Sequence, residues 1–123
     1  MKLKGREFKV PERKISETIL EFGEPITDVL SPRATKEEFE HIMQIVVSAW
    51  NAVVLDEWND TSHFEAGFLA AFDSAPPQLQ AMAADLVLRK KKKFSDDPRG
   101  VGKYEVSEKH GQLVFRADAR LDL

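Results

Sequence analysis

The sequence predicts an α+β fold: a mainly helical single domain of about four helices, followed by a C-terminal antiparallel β-hairpin. From residue 12 to residue 94 apolar side chains recur at helical spacing, and two Thr/Ser-x-x-Glu motifs mark helix starts. After a polar stop at residues 95–100 the apolar period changes to strict alternation. Because the chain has 123 residues and is 42% apolar, one domain over residues 1–123 can bury a single core.

The first element predicted is a short strand. Phe8 and Val10 alternate with polar residues, and Pro11, which lacks a backbone donor, ends the pattern. Such a strand can join the C-terminal hairpin as a third strand.

Residues 12–30 follow a helical stripe that is interrupted once. Gly23 and Pro25 break the stripe, since proline removes a backbone donor and clashes with the preceding turn. We expect a kink or two short helices here, closed by a loop at Ser31-Pro32.

The next segment predicts the central helix. Thr35 and Glu38 form a capping box, in which the Thr35 hydroxyl accepts from the Glu38 amide and the Glu38 carboxylate reaches back to the Thr35 amide. Apolar residues from Phe39 to Trp58 occupy more than one stripe. Most of the circumference of this helix should therefore be covered by other elements.

Two further helices and a hairpin complete the prediction. Ser62 and Glu65 make a second capping box, and the Pro76-Pro77 pair begins the last helix, whose core stripe extends to Phe94. Strands around residues 103–107 and 113–118 then flank the turn at residues 109–111.

Charge is divided between two segments of the chain. Residues 35–73 carry one basic and eight acidic residues, a net charge of −7, whereas residues 76–94 carry five basic residues and one acidic residue, a net charge of +4. A polarised surface can steer a partner. The predicted partner-binding residues are Arg89, Lys90, Lys91, Lys92, Lys93, Asp56, Glu57 and Asp60.

The basic run at residues 89–93 admits more than one interpretation. Five consecutive helical residues wrap the whole circumference, so they predict a collar at the helix end, where cations are favoured by the helix dipole. Lys90 falls on the core stripe, and we expect its methylenes to lie on apolar neighbours with the ammonium group in water. A nucleic-acid site is the alternative, with Lys103, Lys109 and Arg116 added from the hairpin.

Motifs for catalysis, metals and cofactors are weak. Glu38-x-x-His41 has di-iron spacing but no second copy, and the acidic stretch at residues 56–65 has threonine where a calcium loop needs glycine. Cysteine is absent, and the Gly-containing loop at residues 96–102 has no phosphate-loop pattern. We predict no metal and no cofactor.

The leading functional hypothesis is a non-enzymatic, cytoplasmic accessory or immunity-type protein that binds a protein partner. The longest nonpolar run has seven residues, too few to cross a membrane, and a pI near 5.6 disfavours general nucleic-acid binding. An enzyme is the third hypothesis, with a cleft lined by Trp50, Trp58, Tyr104, His63 and acidic residues. An unpaired hairpin edge also permits a homodimer.

Overall fold

The structure, a computed structural model, describes residues 13–30 and 33–123 in full and the backbone of four residues near the N-terminus. Within these residues the chain forms five helices and four strands, and the predicted α+β fold with mainly helical content is confirmed. The elements are β1 (Lys2–Leu3), β2 (Arg6–Glu7), α1 (Ile15–Phe22), α2 (Glu24–Thr27), α3 (Lys36–Asn59), α4 (His63–Ala70), α5 (Pro77–Lys93), β3 (Gly100–Lys109) and β4 (Gln112–Arg120).

The strands form two separate antiparallel pairs. Strand β1 pairs with β2, and β3 pairs with β4. No strand of the described residues joins the β3–β4 pair as a third member, and the predicted strand at Phe8–Val10 lies outside those residues, as does the loop at Ser31-Pro32.

The predicted interruption after residue 22 takes the form of two short helices. Gly23 lies between α1 and α2, and a Cβ placed on it would come within 3.0 Å of a Val46 methyl group. Glycine at this position therefore lets the α1–α2 junction approach α3 closely.

Helix α3 is central, as the sequence predicts. Its capping box is formed, with the Glu38 amide 3.1 Å from the Thr35 hydroxyl. Trp50, at the middle of α3, is completely buried and packs edge-on against the rings of Phe22 and Phe94, at 5.2 Å and 5.7 Å between ring centroids. Residues from α1, α3 and the end of α5 thus meet in one aromatic cluster.

The hairpin is also confirmed. Its two-residue turn, His110-Gly111, has φ angles of 53° and 78°, the left-handed pair that suits the twist of the flanking strands. A bulge between Val101 and Tyr104 shifts the register by one residue. Val101, Val106 and Phe115 are buried against the helices.

Candidate functional site

The basic run does not form a collar, because its side chains go to different neighbours. Successive helical residues point about 100° apart, so each one meets a different part of the fold. Arg89 is half-buried and donates to the carbonyl oxygens of Glu21 and Phe22, at 3.0 Å and 2.8 Å. It therefore satisfies carbonyl groups at the C-terminal end of α1.

Lys90 is fully buried, and the prediction that its ammonium group lies in water is wrong. The Nζ atom donates to the carbonyl oxygens of Phe94 and Asp97, at 2.6 Å and 2.9 Å, and lies 4.2 Å from the centroid of a Trp50 ring. Burial lowers the pKa of Lys90 to about 8, and the carboxylates of Glu57, Asp97 and Asp96 oppose this shift. Lys90 is a structural residue and is not available on the surface.

The last three lysines of the run differ in their surroundings. Lys91 makes an ion pair with Glu65, with 2.5 Å between nitrogen and oxygen, and so links α5 to α4. Lys92 and Lys93 are exposed. Of the five basic residues, only these two form no hydrogen bond or ion pair with the described residues.

Asp56 is likewise buried rather than exposed, and it caps α4. Its two carboxylate oxygens accept from the backbone amides of Phe64 and Glu65, both at 2.9 Å, and from the Thr61 hydroxyl at 2.8 Å. Ser62 makes no capping hydrogen bond, so the predicted second capping box is wrong. Asp56 reaches these amide groups from the end of α3 and satisfies them in place of the serine hydroxyl.

The pKa of Asp56 reflects this role. Burial raises the pKa of this carboxyl, but the hydrogen bonds from Glu65, Phe64 and Thr61 outweigh burial and lower it. The stabilisation by Asp56 is therefore present above its ordinary pKa and is lost as the pH falls through the lowered value.

Replacing Asp56 with asparagine should cost about 2 kcal/mol of stability at neutral pH, because one amide donor of α4 loses its acceptor and the charge at the helix N-terminus is removed. Ser62→Ala is the matched control and should change stability by less than about 0.5 kcal/mol. Urea denaturation of both variants measures this. Equal losses for the two would restore Ser62 as the cap.

Parts of the acidic and basic segments line one cleft between the end of α3, α4 and α5. Its volume is about 280 Å³, and Glu57, Asp60, Lys90 and Lys91 are among its lining residues. The carboxylates of Asp56 and Glu65 also line this cleft, so its four acidic side chains outnumber its two lysines. No group of three or more histidine, aspartate or glutamate residues is arranged to hold a metal in the described part of the chain.

The second half of the loop between α5 and β3, from Asp97 to Arg99, is buried, a feature that no sequence pattern indicated. A buried loop must find partners for its backbone groups. Three successive carbonyl oxygens each accept a hydrogen bond from a buried or half-buried side chain. The pairs are Asp97 with Lys90, Pro98 with the Trp58 indole at 3.0 Å, and Arg99 with the Trp50 indole at 2.7 Å.

The same loop contains a buried ion pair. The Arg99 guanidinium donates to both carboxylate oxygens of Asp97, at 2.9 Å and 2.7 Å, and to the Arg13 carbonyl at 2.7 Å. Trp50 is completely buried, with its indole N–H bonded to the Arg99 carbonyl, and so offers no exposed surface to the cleft expected for the enzyme hypothesis. Tyr104 lies in a different groove, with Phe64 and Phe68.

An apolar groove runs between α2 and α5, and the sequence reading also missed it. Its volume is about 450 Å³. Its length along α5, from Gln78 to Arg89, is about 17 Å at the helical rise. Its apolar lining residues are Pro25, Ile26, Val29, Ala81, Met82 and Leu86.

The chain matches no protein-family model, and comparisons with curated proteins and with solved structures found no similar protein. Among the described residues, no helix is both long enough and apolar enough to cross a membrane. The surfaces of the protein are therefore the features that indicate a function.

Proposed function

We propose that this protein is a non-enzymatic interaction module that binds an amphipathic helical segment of a partner protein in the groove between α2 and α5. One observation carries the proposal: the apolar groove and the two exposed lysines of the basic run share one face of α5. Arg89 is the last groove residue on α5, and Lys92 and Lys93 follow it by three and four residues. Residues at these spacings are neighbours on a helix surface.

The apolar wall provides the first part of the argument. Val29 is 79% exposed although it lines the groove, and Ala81 is also exposed. Exposed apolar surface that lines a concave groove is typical of an interaction site. A helix that lies along such a groove buries residues at i, i+3, i+4 and i+7.

Charge provides the second part. Lys92 and Lys93 flank the groove at the C-terminal end of α5, so the segment that binds should carry carboxylates at the end facing them. Glu24 begins α2, Asp28 follows its last residue and Asp85 lines the groove on α5, and all three carboxylates are exposed. Acidic residues elsewhere in the bound segment would meet these like charges. The binding segment should therefore be apolar along one face and acidic at one end only.

The test uses a synthetic helical peptide of about three to four turns, with leucines at i, i+3, i+4 and i+7 and glutamates at one end. We expect measurable binding by fluorescence anisotropy and NMR shifts at Met82. The double variant Lys92→Glu/Lys93→Glu should weaken binding about tenfold, the factor that corresponds to about 1.4 kcal/mol. Val29→Asp should weaken it at least as much without loss of stability, because Val29 is mostly exposed.

Lys103→Glu is the matched control for charge, since Lys103 is exposed on the hairpin, away from the groove. A loss of binding as large as that caused by Lys92→Glu alone would show that net charge, rather than the groove, drives binding. A photo-crosslinker at Ala81 should capture an acidic amphipathic segment in cells, and the double variant should abolish the capture. Capture of nucleic acid instead, with affinity that falls steeply with salt, would favour the nucleic-acid alternative.

A further inference from the structure

We infer that two copies of this chain associate through the free edge of β3. The β3 strands of the two copies pair antiparallel, with the two-fold axis at Ser107, and the two hairpins together form a four-stranded sheet. The proposal concerns a surface separate from the α2–α5 groove and does not depend on the function proposed for that groove.

The hairpin register shows which backbone groups face the edge. The two-residue turn makes Lys109 and Gln112 a hydrogen-bonded pair, so alternate residues of β3 direct their N–H and C=O groups away from β4. These residues are Tyr104, Val106 and Glu108. Their outward backbone groups have no hydrogen-bond partner in residues 13–30 and 33–123.

Asn51 closes the inner end of this edge. Its side-chain amide donates to the Val101 carbonyl and accepts from the Val101 amide, both at 2.8 Å. Asn51 thus takes the place of one residue of a neighbouring strand at Val101. Among the residues that the structure describes, no other segment pairs with the outer half of β3, from Tyr104 to the turn, and most of the residues in this half are exposed. An unpaired edge of this kind is a template for another strand.

Charge selects the register of a symmetric pair. Residues whose backbone groups point away from β4 must pair with each other across the two copies. This condition leaves three registers in which the two β3 strands overlap over most of their outer halves. Pairing about Glu105 sets that carboxylate against its own copy. Pairing about Val106 sets Lys103 against Lys109. Pairing about Ser107 sets Glu105 against Lys109 of the second copy, twice by symmetry, so this register is favoured.

The favoured register also places the second copy beside exposed apolar surface that it can cover. The overlap is confined to the outer half of each hairpin, so the helical bodies lie at opposite ends of the new sheet. The turn of the second copy then reaches the groove that contains Phe64 and Tyr104, which are 42% and 37% exposed. Covering these rings adds apolar burial to the strand hydrogen bonds.

The experiment is sedimentation velocity of the full chain over a wide concentration range. We expect a concentration-dependent dimer. Glu105→Lys and Lys109→Glu should each raise the dimer dissociation constant at least about tenfold, because each places like charges together at two symmetric positions. The double variant Glu105→Lys/Lys109→Glu should restore it to within about threefold of the original.

Restoration of the dimer by the double variant would distinguish a contact between the two copies from an effect within one copy. Glu105 also lies opposite Arg116 in its own hairpin, so an intramolecular effect of Glu105→Lys would persist in the double variant. Glu108→Pro removes an outward-facing amide and should abolish the dimer, with the helical circular dichroism unchanged. The double variant Lys92→Glu/Lys93→Glu, which changes the other proposed surface, should leave the dimer intact. A monomer at all concentrations, or no restoration by the double variant, would overturn the inference.

Discussion

Replacing Arg99 with methionine is expected to lower the free energy of unfolding by about 3 to 5 kcal/mol, the usual cost of breaking a buried ion pair from one side. Arg99 and Asp97 are each only 5% exposed, and the guanidinium binds both carboxylate oxygens. Without Arg99 the Asp97 carboxylate stays buried without its counter-charge. The Arg13 carbonyl, which joins the start of α1 to this loop through Arg99, also loses its donor.

Urea denaturation followed by tryptophan fluorescence measures this change, because the indoles of Trp50 and Trp58 bind carbonyl oxygens of the same loop. Lys36→Met is the control. It removes the exposed ion pair between Lys36 and Glu40, 3.6 Å apart, and should cost less than about 0.5 kcal/mol. Similar small losses for the two variants would mean that the buried pair contributes no more than a surface pair.

Lys90 should make the protein more stable as the pH rises from about 8 to 10.5. Its pKa is lowered from 10.5 to about 8 by burial, so in this range the unfolded chain binds a proton at Lys90 that the folded protein has released. Stability therefore rises with pH across the window, by about 3 kcal/mol for a shift of this size. The neutral amine still has two hydrogens for the carbonyl oxygens of Phe94 and Asp97.

Lys90→Met provides the reference for this measurement. The free energy of unfolding of the original protein minus that of the variant should increase between pH 8 and pH 10.5, and groups common to both proteins cancel in the difference. Lys92→Met, which removes an exposed lysine, should give a difference that stays flat. A flat difference for Lys90→Met as well would show that the ammonium group is not desolvated in the folded state.

Features encoded within a few residues of the chain could be predicted from sequence. The Thr35–Glu38 capping box and the hairpin turn at His110-Gly111 depend on contacts between residues at most four positions apart, and the break between the two short helices was indicated by the neighbouring Gly23 and Pro25. The change of apolar period gave the order of helices and strands for the same reason, since each period reports which face of one element is buried.

The site residues were harder to predict, because their surroundings come from distant parts of the chain. Asp56 was predicted to be a surface acid but caps α4 in place of Ser62, eight and nine positions before the amides that it binds. Lys90 was predicted to extend into water but binds the loop that follows α5. In both cases the capacity of the group to form hydrogen bonds was evident, and its partner was not.

The helical segments from residue 15 to residue 93, the C-terminal hairpin, the Thr35–Glu38 capping box and the charge of each segment follow from the sequence, because propensity, period and local capping act over one or two turns. Which charges remain at the surface depends on tertiary packing. Packing brought Lys90 against Trp50, Lys91 against Glu65 and Asp56 against the start of α4, and it left Lys92 and Lys93 exposed about one turn beyond Arg89, the last residue of α5 that lines the apolar groove. A buried charge must acquire partners wherever packing places it, so its role depends on contacts that no local pattern encodes.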